Sequence, residues 1–118
     1  MKILIIDDEP DICFLLKNIL QRRELETQYV NRLEEAKQAL MDMKISLVFL
    51  DNHLPDGLGI DFLNYLKTHY PAIKIIMITA HDTPEDRNKA MQRGVDMFLS
   101  KPFTRDTINF AVDKINAA

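Results

Sequence analysis

Unbroken apolar runs constrain this chain more than anything else in it. Ile3–Ile6 and Leu47–Leu50 contain no polar position, and Ile73 to Ile78 is interrupted only by Lys74. A run of four to six apolar residues bounded by turn residues reads as a strand buried on both faces. Such strands need helices on both sides of the sheet. The intervening stretches supply them. Ile12, Leu15, Leu16, Ile19 and Leu20 fall at helical spacing, as do Leu33, Ala36, Ala39, Leu40 and Met43. Phe62, Leu63 and Leu66 begin a third stripe, and Ile108, Ala111, Val112 and Ile115 form the last. Glu26 to Val30 is more polar and Met97 to Leu99 is short, so both suit sheet edges. Five strands alternating with five helices predict an α/β fold. The sheet is doubly wound, parallel and five-stranded, with right-handed crossovers and the flavodoxin-like order 2-1-3-4-5.

Local signals set the boundaries. Pro10 suits a first helical turn, and Asn31 with Glu34 resembles a capping box. Thr83-Pro84-Glu85-Asp86 is a helix start, Gly94 a helix stop, and Thr104 a cap for the last helix. The fourth helix has little beyond Ala90 and Met91 to bury, which predicts low local stability. With 118 residues and no visible linker or repeat, one domain over 1–118 is expected. A hydrophobic content of 47% argues against disorder, and a net charge of −3 offers no basic footprint for direct nucleic-acid contact. No apolar run approaches a membrane span, and Asp7 and Asp8 end the first run too early for a signal peptide. The lone Cys13 forms no internal disulfide, fits a reducing cytoplasm, and reads as an inert side chain of the first helix.

In an open α/β sheet, ligands bind at the carboxyl edge where the strand order reverses. The first and third strands flank that point and end in Asp7, Asp8 and Asp51. Pro55 and two glycines then enforce a turn after Asp51. Thr79 ends the fourth strand and Lys101 follows the fifth. Three carboxylates at one edge repel unless a cation joins them, and Lys101 supplies only one charge. A hard divalent ion with oxygen ligands, Mg²⁺ above all, completes the set. That arrangement suits phosphoryl transfer onto the Asp51 carboxylate, with Lys101 and the Thr79 hydroxyl meeting phosphoryl oxygens.

The chain resembles the receiver domains of two-component response regulators. The resemblance rests on Asp7-Asp8-Glu9-Pro10, the Asp51…Leu54-Pro55…Gly59 turn, Thr79-Ala80, and Gly94…Phe98-Leu99-Ser100-Lys101-Pro102-Phe103, in order and at the family's spacing. It implies that Asp51 takes a phosphoryl group from a histidine kinase or a histidine phosphotransfer protein. It also implies Mg²⁺ held by Asp8, Asp51 and the His53 backbone carbonyl, with Asp7 acting through water. Phe98 would be the switch aromatic coupled to Thr79, and the Lys101–Pro102 peptide would be cis. The surface of helix 4, strand 5 and helix 5 would change its affinity for a downstream output domain or protein, and phosphorylation-dependent homodimers are common in the family. Such a chain is a cytoplasmic regulator assisting only its own phosphorylation and dephosphorylation, not an enzyme acting on other substrates.

Rival functions meet specific obstacles. A flavin binder of the same topology needs a phosphate loop where Asp7-Asp8-Glu9 stands, and no GxGxxG exists for a dinucleotide. A haloacid-dehalogenase-type phosphatase places a second aspartate two residues after its nucleophile, where this chain has His53. A receiver used purely for binding has no need of the intact acid pair, Asp51, Thr79 and Lys101. Finally, His53 follows Asp51 by two residues and His81 follows Thr79 by two. Their side chains are expected to flank the mouth of the site, either idle or tuning dephosphorylation.

Overall fold

The computed structural model describes residues 1–117. Its principal elements are β1 (Lys2–Ile6), α1 (Pro10–Gln21), β2 (Glu26–Val30), α2 (Leu33–Asp42), β3 (Leu47–Asp51), α3 (Gly59–His69), β4 (Lys74–Thr79), α4 (Pro84–Gln92), β5 (Met97–Ser100) and α5 (Arg105–Asn116). A two-residue hairpin, His53–Leu54 with Gly57–Leu58, lies between β3 and α3. The main sheet is parallel throughout in the order β2-β1-β3-β4-β5, as the patterning predicts.

The apolar runs are continuous because alternate side chains feed two separate cores. Leu4, Ile6, Val48, Leu50, Ile75 and Met77 pack on the side carrying Ala36, Leu63, Leu66 and Ala90 of α2, α3 and α4. Ile3, Ile5, Leu47, Phe49, Ile76 and Ile78 pack on the other, against Leu16, Leu20, Ile108 and Val112 of α1 and α5. Fully burying one such side chain stabilises a fold by about 1.5–3 kcal/mol. The helices are unequal by this measure. α5 buries Ile108, Ala111 and Val112, whereas α4 buries only Ala90 and leaves Met91 exposed. The position of α4 therefore depends heavily on polar contacts.

The caps of α4 and α5 form as expected. The Thr83 and Thr104 hydroxyls accept hydrogen bonds from the Asp86 and Thr107 amides. Gly94, with φ +94°, ends the α4 segment in a conformation that side chains rarely adopt. The start of α2 differs from its expectation. Arg32, in extended backbone, occupies the cap position and makes no side-chain capping bond. The Asn31 amide N–H bonds Glu35 rather than Glu34, and its side chain donates to the Asp7 carbonyl at 2.9 Å. The capping group comes from elsewhere: Asp56 accepts from the Leu33 and Glu34 amides at 2.8 and 3.0 Å. Slight burial raises the Asp56 pKa, but these backbone donors outweigh it and hold the carboxyl below its usual range. A loop leaving Asp51 thus tethers the first turn of α2.

Candidate functional site

β1 and β3 are neighbours at the point where the chain changes direction across the sheet. That adjacency brings Asp7, one residue past β1, beside Asp51, the last residue of β3. Asp7, Asp8 and Asp51 each offer a carboxylate oxygen within 4.8 Å of the others. Asp7 and Asp51 are buried and Asp8 is exposed. Lys101 reaches in from beyond β5. Its ammonium lies 2.8 Å from Asp7 Oδ2, 2.9 Å from Glu9 Oε1 and 3.6 Å from Asp51 Oδ1. The Asp7 contact is a buried ion pair. Asp7 Oδ1 accepts the Glu9 amide at 2.8 Å.

Electrostatics follow from this crowding. Burial first, and then the Asp7 charge, push the Asp51 carboxyl from 3.8 up to about 6, against the pull of Lys101. Asp7 is also raised, chiefly by burial. Burial lowers Lys101, but its contacts with Asp7 and Glu9 and the Asp51 charge outweigh that and raise it. One ammonium meets three carboxylates, and Asp8 adds a fourth beside them. The negative surplus and the all-oxygen donor set together fit a hard divalent cation.

The backbone beneath the cluster is closely built. Asn52, buried after Asp51, accepts the Ile60 amide on its side chain at 3.0 Å and the Gly59 amide on its carbonyl at 2.8 Å. A Cβ at Gly59 would lie 2.4 Å from the Asp51 carbonyl oxygen, so only glycine permits this approach. Thr79 is wholly buried, and its hydroxyl accepts the His81 amide at 3.0 Å. The Lys101 amide donates to the Thr79 carbonyl at 2.7 Å, and the Lys101–Pro102 peptide is cis. Phe98 is buried in the α2–α4 core, with the Arg87 guanidinium 4.7 Å from its ring centroid. His53 and His81 are exposed and meet edge to face, their ring centroids 4.8 Å apart. Cys13 is buried and donates to the Asp7 carbonyl at 3.2 Å, and burial pushes its thiol up to about 11.

Every residue singled out for the site therefore lies at one sheet edge or, for Phe98, in the strand leading to it. Three participants escaped the sequence reading. Glu9 appears there only as part of a motif, yet it shares Lys101 with Asp7. Asn52 pins the turn after Asp51, and an amide following a strand is no distinctive signal. Arg87 covers Phe98 from a different element, which no local pattern reveals.

Comparison with known proteins places this geometry in a family. The model of the response regulator receiver domain matches residues 3–113. The chain is 38% identical over 101 residues to the response regulator protein PilR of Pseudomonas aeruginosa, covering 86% of this chain and 23% of that protein. It superposes on a two-component response regulator from Clostridium difficile with a TM-score of 0.95, at 27% identity and covering 99% and 96% of the two chains. The beryllofluoride-activated NtrC4 receiver domain dimer gives a TM-score of 0.92 at 28% identity, covering 96% of this chain and 93% of that one. The chain spans less than half the length of the curated relatives it matches. With fold, acidic cluster and ordered motifs in agreement, the chain belongs to the response regulator receiver domain family.

Proposed function

We propose that the chain is a phosphoacceptor switch in which Asp51 takes a phosphoryl group from a phosphohistidine donor, a histidine kinase or a histidine phosphotransfer protein. The supporting observation is the buried Asp51 carboxylate beside Asp7 and Lys101, at the sheet edge that also carries Thr79. A carboxylate oxygen of Asp51 attacks phosphorus. The phosphorus–nitrogen bond to the donor imidazole breaks, its electron pair stays on nitrogen, and that nitrogen takes up a proton. Asp8, Asp51 and the His53 carbonyl would hold Mg²⁺, with Asp7 acting through water. When bound, such an ion neutralises charge on the phosphoryl oxygens. Lys101, already against Asp51, moves with its charge from the carboxylate toward a phosphoryl oxygen. The Thr79 hydroxyl turns to donate to another, which disturbs the loop bonded to it at His81.

Thr79 and Phe98 then shift together, and the face of α4, β5 and α5 changes its partner affinity. Met91 on α4 and Phe110 on α5 are exposed apolar side chains on those elements. Phosphate biases such an equilibrium only through contacts that differ between the two states. The partner of that face is a second copy of this chain or an output domain. Any DNA contact belongs to the output domain, because this chain carries a net charge of −3. No helix among the described residues is long and apolar enough to cross a membrane, and we place the switch in the cytoplasm with its kinase.

The test is intact mass after incubation with acetyl phosphate. One phosphoryl adduct is expected with Mg²⁺ and none with a chelator. A chain that never gains the adduct is a binding module only.

A further inference from the structure

Asp82, Arg87, Ser100 and Phe98 form a cluster that the phosphoryl chemistry does not use. Asp82 lies in the loop after β4, three residues beyond Thr79. It receives both arms of the Arg87 fork, Nε at 3.2 Å and Nη2 at 2.6 Å, on its two carboxylate oxygens. The Ser100 hydroxyl also donates to Asp82 Oδ2. Arg87 stands in the first turn of α4 and lays its guanidinium over the Phe98 ring, 4.7 Å from the centroid. One carboxylate therefore ties the β4–α4 loop, α4 and the end of β5 together, with the arginine closing over the aromatic. The tie matters because α4 buries only Ala90 and has little apolar packing to hold it. Each bond in the cluster joins elements that must move relative to one another if Thr79 and Phe98 are to shift.

We propose that Arg87 is a positioning residue: clamped by Asp82 and stacked on Phe98, it holds the aromatic buried and sets the energy gap between resting and active states. The inference rests on the reading of Asp51, Thr79 and Phe98 as a phosphoryl-driven switch. The geometry calls for a planar fork as well as a charge. An arginine meets a carboxylate in two parallel bonds and lies flat on a ring face, whereas a lysine ammonium can set a charge over the ring but cannot form the fork. An exposed bidentate pair and an exposed cation–π contact are each worth roughly a factor of two to five in an equilibrium constant. With each taken at the low end of that range, because the Arg87 side chain is exposed to solvent, removing both should raise the resting population of the active state about fivefold. Asp82 acts through the same network, so its loss and that of Arg87 should not multiply.

The experiment is a beryllofluoride titration of the whole chain with Mg²⁺, followed by backbone amide NMR at Thr79, Phe98 and Ser100. Because apparent affinity scales with the population of the competent state, Arg87→Ala should lower the apparent dissociation constant about fivefold. Arg87→Lys, which keeps a charge over the ring but loses the fork, should lower it about twofold, and Arg87→Ala with Asp82→Ala should go no further than Arg87→Ala. Without ligand, the Phe98 and Ser100 resonances of the variants should already lie part-way along the line from free to beryllofluoride-bound wild type. A merely structural role would lower unfolding stability without moving resonances along that line. Responsive wild type with Arg87→Lys indistinguishable from it overturns the clamp and leaves the phosphoacceptor reading intact. Wild type that never responds to beryllofluoride overturns both.

Discussion

Asp51→Asn should make this protein more stable while removing the proposed acceptor group. Asp51 is 4% exposed, and its carboxyl is held at about 6 instead of 3.8, by burial first and then by Asp7. At ~1.4 kcal/mol per tenfold, the charged form is disfavoured in the fold by on the order of 3 kcal/mol. The sign follows from proton binding. Between about pH 4 and 6 the folded state holds a proton on Asp51 that the unfolded state has released, so stability falls as pH rises through that window. The contribution is fully present below pH 4 and lost above pH 6. The substituted amide carries no charge to desolvate and should abolish this slope. Urea unfolding followed by far-ultraviolet circular dichroism, in chelator, gives the comparison. The variant should exceed wild type by on the order of 3 kcal/mol at pH 7 and by little near pH 4. Mg²⁺ should stabilise wild type by mass action and narrow the gap. A variant no more stable than wild type at pH 7 in chelator, or a gap independent of pH, would refute the argument.

Gly59→Ala places a Cβ against the Asp51 carbonyl and should lower stability by about 1–3 kcal/mol, as overpacking does, while slowing the acetyl phosphate reaction; wild-type urea midpoint and rate would remove that constraint. Asp56→Ala deletes the remote cap of α2 and should lower stability by about 1 kcal/mol, with faster hydrogen exchange at the Leu33 and Glu34 amides; unchanged exchange there would show that the tether is idle. His53 and His81 touch edge to face, and His53→Ala with His81→Ala should change the phosphoryl lifetime. A lifetime equal to that of wild type would leave the touching rings without a role in dephosphorylation.

The sheet was legible in the sequence because burial on two faces leaves no polar position in Ile3–Ile6 or Leu47–Leu50. Strand order followed from length and polarity, and the edge positions of β2 and β5 agree. The acidic residues were legible because strand ends at a switch point converge. What escaped the sequence was contact between residues far apart along the chain. Asp56 caps a helix that begins more than twenty residues before it, while the nearer Asn31 offers a local capping pattern and spends its amide on Asp7 instead. Arg87 looked like one of many surface charges, since nothing in its neighbours announces Phe98 or the fork from Asp82. Periodicity reports which face is buried. It does not report which polar group across the fold completes a cap, a turn or a clamp.

The central claim is that Asp51, and no other carboxylate in the cluster, becomes the acyl phosphate. Borohydride reduces an aspartyl phosphate to homoserine, which marks the residue permanently. The chain should be treated with acetyl phosphate and Mg²⁺, reduced, digested and mapped by tandem mass spectrometry. Homoserine at position 51, absent when a chelator replaces Mg²⁺, is the predicted result. Homoserine at Asp7 or Asp8, or an adduct that leaves position 51 unreduced, would contradict the account.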